Sequence, residues 1–150
     1  KMKLNNEMKL QIESRSVNEA FARAAVAAFA AQLDPNIEEL SDIKTAVSEA
    51  VTNCIVHAYP GKVGKIYISA GFTIDGSFKV KIKDKGCGIE NIKQAMEPLF
   101  TTLGGERAGL GFAVMESFCD KIKVTSKPGK GTTVTLLKTI SGRGATDDRD

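Results

Sequence analysis

Phe78-Lys79-Val80-Lys81-Ile82-Lys83-Asp84-Lys85-Gly86-Cys87-Gly88 is the stretch that decides the fold. Apolar and lysine residues alternate with a period of two, the mark of a strand with one buried and one solvated face. Phe78, Val80 and Ile82 point inward, and Lys79, Lys81 and Lys83 point outward. Asp84 continues the inward parity. A carboxylate in a core register is costly unless donors reach it, and here it stands where the strand opens into a glycine turn. Two readings follow. Asp84 is a buried acceptor, suited to a donor such as the amino group of a base, or the strand ends one residue early and Asp84 caps a turn. The Asp-x-Gly-x-Gly spacing alone is weak, because acid-plus-glycine turns are common. It lacks the third glycine of a dinucleotide fingerprint, and the chain has no GxxxxGK(S/T) phosphate loop.

Upstream, Asp75-Gly76 is a tight-turn signal, and Ile66, Ile68, Ala70 and Phe72 before it share one parity, so the two runs read as a hairpin. Residues 34–59 read as a long helix. Asp34-Pro35 offers an N-cap acid before a proline suited to the first helical position. Leu40, Ile43, Val47, Ala50, Val51, Cys54 and Ala58 form its apolar stripe, and Pro60-Gly61 ends it. Earlier, Ser16-Val17-Asn18-Glu19 reads as a capping box. It opens an alanine-rich helix with Val17, Phe21, Ala24 and Ala28 on one face. Residues 8–13 alternate as a short strand, after a start region over residues 1–6.

Downstream, a glycine-rich region runs from Gly86 to Gly111, broken by a short helical piece near Ile92. Residues 111–119 read as a helix. Ile122-Lys123-Val124 and residues 132–137 read as strands joined at Pro128-Gly129-Lys130-Gly131. The order β-α-α-β-β-α-loop-α-β-β predicts an α/β (α+β) two-layer sandwich, a mixed, mostly antiparallel sheet with helices on one face. Residues 1–140 are expected to form a single domain, and 141–150 a disordered tail.

The chain has 150 residues, 42% of them hydrophobic and 26% charged, ordinary values for one domain with one core. Its net charge is +3 and aromatics make up 6%. The lysines look scattered along the chain, which argues against direct nucleic-acid binding and against a base-stacking platform. Cys54, Cys87 and Cys119 have no regular spacing and read as free thiols of a reducing compartment. One histidine cannot build a His-based zinc site. No apolar run approaches the roughly 20 residues that span a bilayer, and no signal-peptide pattern is present. A cytoplasmic protein without a membrane partner is therefore expected.

Four further features bear on chemistry. Glu49 and Asn53 lie four apart, on one side of the long helix and roughly opposite its apolar stripe. They are either a solvated polar face or a working pair. In the latter case Asn53 offers a neutral oxygen to a hard cation, and Glu49 polarises a hydroxyl or water beside a phosphate. Residues 104–111 have the composition of a lid ending at a helix start, where backbone N–H groups suit a polyphosphate and Arg107 could add a charge-assisted contact. The same stretch also reads as a plain flexible loop. Thr132 shares parity with Val134 and Leu136, so its hydroxyl turns inward, although an ordinary hairpin threonine would do the same. His57, one turn after Asn53, is a catalytic base or a packed structural histidine.

Taken in order, Glu49-Ala50-Val51-Thr52-Asn53, Asp84-x-Gly86-x-Gly88, Gly109-x-Gly111 and Gly131-Thr132 resemble the N, G1, G2 and G3 boxes of the Bergerat-fold (GHKL) ATPases. That superfamily includes gyrase B, chaperone, histidine-kinase and MutL ATPases, and the resemblance runs from the first strand to Leu137. Ser48 to Asn53, with His57-Ala58-Tyr59 and Pro98-Leu99-Phe100-Thr101-Thr102, resembles more closely the small stand-alone serine kinases that are also anti-sigma factors. The sporulation type, directed at sigma F, is the nearest pattern, with the stress-response sigma B kinases as an alternative. This resemblance implies a homodimer that inhibits a sigma factor and uses ATP and Mg2+ to phosphorylate a serine on an anti-anti-sigma protein.

The same resemblance implies roles. Glu49 is the general base, and Arg107 acts in the lid near the terminal phosphate or the protein substrate. Asn53 holds magnesium. Asp84 accepts from the adenine amino group, with Thr132 supporting it through water. Gly86, Gly88, Gly109 and Gly111 let the backbone approach the nucleotide, and Thr101, Thr102, Gly105, Leu110 and Phe112 complete the ATP-binding set. Three other readings stand beside it. A detached histidine-kinase domain needs an accepting histidine on a separate helix, whereas His57 lies within the nucleotide helix. An ATP-gated clamp needs further domains, for which this length leaves no room. Binding without turnover applies if Glu49 is only a surface acid.

Overall fold

The computed structural model describes residues 4–96 and 106–141, with the backbone alone over 106–110. Five strands, β1 (Asn6–Glu13), β2 (Lys65–Phe72), β3 (Ser77–Asp84), β4 (Lys121–Lys127) and β5 (Gly131–Thr139), form one sheet in the order β1-β2-β3-β5-β4. Its helices are α1 (Asn18–Ala30), α2 (Ile37–Asn53), α3 (Ile92–Ala95) and α4 (Glu106–Phe118). Every strand pairing is antiparallel, so the parallel component expected of a mixed sheet is not found among the described residues. The reason is connectivity: β2-β3 and β4-β5 are hairpins, and β5 pairs with β3 to join them.

The parity read in the sequence holds. Phe78, Val80 and Ile82 are buried, and their partners Phe72, Ala70 and Ile68 on β2 are buried opposite them. Val134 and Leu136 continue this layer on β5. Over it lie Val26 from α1, Val47 and Val51 from α2, and Phe112 and Met115 from α4. Each such large side chain contributes roughly 1.5–3 kcal/mol by leaving water. The β2-β3 connection spans residues 73–76, closed by the Thr73 N–H to the Ser77 carbonyl at 2.9 Å, and Gly76 takes the left-handed φ of 93° that the turn requires.

Four local expectations change. The capping box at Ser16 and Glu19 does not form, and Val17 opens α1 without a side-chain cap. The Asn18 side chain instead donates to the Glu13 carbonyl at 2.9 Å, and Glu19 accepts from Arg23 at 2.9 Å. Val17, Phe21, Ala24 and Ala28 do share one face of α1, as expected, and it points outward, with Val17 75% and Phe21 53% exposed. Its buried face is Ala22, Val26, Ala27 and Ala30, because small side chains let α1 lie close to α2.

Helix α2 is capped at Asn36 rather than Asp34. Asn36 accepts from the Glu39 N–H at 2.7 Å, and Glu39 accepts from the Asn36 N–H at 2.9 Å, so two otherwise open donors are satisfied reciprocally. Asp34 is left-handed at the end of a 3-10 turn, Ala31–Leu33. Past Asn53 the helix widens into a π turn over Cys54–Ala58. Helix α4 starts at Glu106, five residues ahead of Gly111. Glu106, Arg107 and Ala108 are strong helix formers that extend the helix ahead of Gly109 and Gly111, each of which costs about 1 kcal/mol relative to alanine. Among the described residues no helix is long and apolar enough to cross a membrane. The expected tail beyond Ser141 lies outside the described residues.

Candidate functional site

Strand β3 runs through Asp84, so the early-ending reading fails. Asp84 pairs with Ile66 on one side and Thr132 on the other, and only 5% of it is exposed. Its Oδ1 accepts from the Gly86 N–H at 2.9 Å and the Thr132 N–H at 3.2 Å. Its Oδ2 receives the Cys54 thiol at 3.5 Å. Burial, reinforced by the neighbouring Asp84 charge, pushes the Cys54 thiol well above its ordinary range, which keeps it a protonated donor. One carboxylate oxygen is thus held by two backbone amides and the other by a weak thiol donor, leaving acceptor capacity for a stronger N–H.

The turn after Asp84 is fixed from three sides. Gly86 presses on the Ala58 carbonyl, where a Cβ would collide with backbone. The Cys87 N–H donates to that carbonyl at 2.8 Å, and the Gly129 N–H donates to the Cys87 carbonyl at 2.7 Å. The Tyr59 hydroxyl accepts from the Lys85 N–H at 2.7 Å and donates to the Lys65 carbonyl at 2.6 Å. Ser126 closes the arrangement. Its Oγ accepts from the Ile89 N–H at 2.7 Å, donates to the Gly131 carbonyl at 2.9 Å and lies 2.8 Å from Thr132 Oγ1. Sequence reasoning passed over Ser126, although it is polar in the inward register of Ile122 and Val124. The Thr132 hydroxyl therefore meets Ser126, and its backbone N–H is the group that reaches Asp84.

Glu49 and Asn53 do not form a free polar face. They lean against α4 at Gly111, where a Cβ would stand 3.2 Å from Asn53 Nδ2 and 3.3 Å from Glu49 Oε1. Asn53 Nδ2 is buried without a hydrogen-bond partner among the described residues. Orphaned buried amides of this kind cost on the order of 1–3 kcal/mol unless a ligand or water meets them. The glycine and the unpaired amide together make a cradle suited to a polar group. No cluster of three His, Cys, Asp or Glu able to hold an ion exists among the described residues. A magnesium ion here would thus take Asn53 as a protein ligand and draw the rest of its shell from phosphate oxygens and water, its usual manner of binding.

Asn53 and Asp84 meet at one apolar cavity, lined also by His57, Gly88, Phe112 and Thr132, with Glu49 and Gly111 outside its lining. His57 is half-buried in the π turn. Arg107, Gly109 and Leu110 fall on the first turns of α4, and Thr101, Thr102 and Gly105 lie outside the described residues.

Residues 12–138 match the family model of the histidine kinase-like ATPase domain. The anti-sigma F factor of Caldanaerobacter subterraneus subsp. tengcongensis is 59% identical, over 93% of this chain and 97% of that protein. That of Clostridium acetobutylicum is 52% identical, over 90% and 94%. Among solved structures, the RsbU and RsbW domains of Rv1364c from Mycobacterium tuberculosis share the fold. The TM-score is 0.68 at 20% identity, covering 91% of this chain and 33% of that one. The chain belongs to the histidine kinase-like ATPase domain family, and within it to the anti-sigma F factors.

Proposed function

We propose that this chain is an anti-sigma factor of sporulation that inhibits sigma F and, as a cytoplasmic serine-protein kinase, phosphorylates a serine on an anti-anti-sigma protein. The observation that carries the enzymatic half is that Asp84 and Asn53 line one cavity, with Glu49 and Gly111 beside Asn53 at its edge. The anti-sigma half rests on relatives of that name. Bound ATP supplies the phosphoryl group, and magnesium spreads its negative charge. Asp84 selects the base by offering Oδ2 to its amino group, while the Gly86 and Thr132 amides hold the carboxylate still. Gly111 keeps the α2-α4 seam open for phosphate, and Asn53 fills its unmet hydrogen bond there or ligates the ion. Glu49 accepts the proton of the incoming serine hydroxyl, and Arg107 offsets charge on the transferred group. Phosphoryl transfer asks for little beyond positioning and charge neutralisation, and these residues supply both. A homodimer is supported by the exposed Val17 and Phe21 of α1 beside the edge strand β1.

The test is to incubate the protein with γ-labelled ATP, magnesium and a lysate of a sporulating bacterium. A labelled serine on a small acceptor protein and a co-purifying sigma factor are expected. Glu49→Gln should keep nucleotide binding and lose the label. Wild-type labelling by that variant removes Glu49 as the base, and absence of any labelled acceptor reduces the protein to a nucleotide-binding module.

A further inference from the structure

The lysines that look scattered in the sequence are gathered by the strand register onto the sheet face away from the helices. Along β3, Lys79, Lys81 and Lys83 point away from the core, and Lys85 follows with its Nζ 5.0 Å from the centre of the Tyr67 ring. Pairing sets Lys9, Ser69, Lys81, Thr135 and Lys123 in one row across all five strands. Lys65 on β2 and Lys121 and Lys127 on β4 share the face. Against these nine lysines stand, among the described residues, two acids, Glu7 and Glu13, and Glu13 already pairs with Arg15 at 2.7 Å and Lys65 at 3.7 Å. The whole chain is only +3, so its charge is segregated and the remainder is net negative. Two clefts of about 410 and 360 Å³ lie among the lysines of β1 and β3.

We propose that this face binds single-stranded nucleic acid without sequence preference, its phosphate backbone following β3 over Lys79, Lys81, Lys83 and Lys85. Three observations favour that occupant. Same-face residues on a strand recur about every 7 Å, close to the separation of successive phosphates on an extended strand. Ser69, Thr133, Thr135 and Gln11 stand between the lysines as small hydrogen-bonding groups, and Tyr67 offers a ring on which a base can stack. The exposed large apolar residues Val17, Phe21, Ile37, Val56, Val63, Ile74 and Phe118 all lie elsewhere. Only the half-buried Leu137, paired with Lys79 and Lys121, and Leu4, beside Lys9 and Lys81, stand between the lysines among the described residues, so this face carries no exposed lipid-inserting wedge. A twist of about 20–25° per strand also keeps its lysines from meeting a flat bilayer together.

The test is fluorescence anisotropy of the full chain with labelled oligothymidylate and oligouridylate, titrated with salt; the pair separates DNA from RNA. Four neutralised phosphates predict a slope of about −3 in log affinity against log salt concentration. The double variant Lys81→Gln/Lys83→Gln should halve that slope and weaken low-salt binding about tenfold. Lys44→Gln, on exposed helix surface, should bind as wild type. Both lysines of the double variant are exposed, and unchanged circular dichroism certifies its fold. The proposal is overturned by no binding at low salt, by wild-type binding of the double variant, or by tighter binding to phosphatidylserine vesicles or polyglutamate than to either oligonucleotide.

Discussion

The two faces of β3 are built from the same eight-residue strand and obey different rules. On the covered face, Phe78, Val80, Ile82 and Asp84 each have fixed neighbours, and every atom matters to packing or hydrogen bonding. On the open face, Lys79, Lys81 and Lys83 each contribute little alone and act as a field. The difference teaches how to read the strand. The covered face is specified residue by residue and reports on stability and on the nucleotide. The open face is specified only as a sum of charge and reports on what the protein meets in solution.

Substitutions can break this contrast, and the largest effect belongs to the core. Phe78→Ala should cost about 3–5 kcal/mol, as a buried aromatic leaves a cavity behind, measured by urea denaturation. A loss below about 1 kcal/mol would mean that the hairpin end is not packed as described. Next is Asp84→Asn. The amide can keep an oxygen toward Gly86 and Thr132 but turns a donor toward the pocket, so folding should survive while affinity for a fluorescent ATP analogue falls about tenfold or more. Unchanged affinity would remove Asp84 from base recognition.

A smaller effect sharpens the contrast through thiol chemistry. Burial lifts Cys119 to about 11, and Cys54 is raised well beyond its usual range, so both hold their protons at neutral pH. Because the thiolate is the reactive form, their labelling should speed up as pH rises, with Cys87, which is exposed, modified first at pH 8. Early modification of Cys54, read by peptide mass spectrometry, would mean that its contact with Asp84 is open. The smallest effect is Lys81→Gln, which should move stability by no more than about 0.5 kcal/mol. A larger loss by the same urea assay would show that the open face is structural after all.

Much of this was legible in the sequence, for reasons that differ by residue. Asp84 could be found because strand parity is strict and a carboxylate breaks the apolar series. Glu49 and Asn53 could be paired by helical spacing, but spacing does not say what a helix face meets, and the arrival of α4 at Gly111 was invisible. The boxes at Ser16 and Asn36 have similar residues. Only the second forms, because Asn18 and Glu19 find partners in Glu13 and Arg23, a choice made by tertiary geometry. Ser126 carried a signal that went unused, a hydroxyl in an inward register. The lysine face showed only its β3 row locally, in the alternation of Lys79, Lys81 and Lys83; Lys9, Lys81 and Lys123 become neighbours only through strand order.

The π turn that follows Asn53 has a consequence for how the chain can vary. Such turns behave as a one-residue insertion into an α-helix. Here the extra residue brings the Ala58 carbonyl to the Cys87 N–H, hooking the end of the helix that carries Asn53 to the loop that follows Asp84. Deleting one residue between Cys54 and Ala58 would restore regular helix and yet unhook that loop. The spacing between Asn53 and Pro60 is thus a counted length, intolerant of insertions and deletions even where individual side chains can be exchanged.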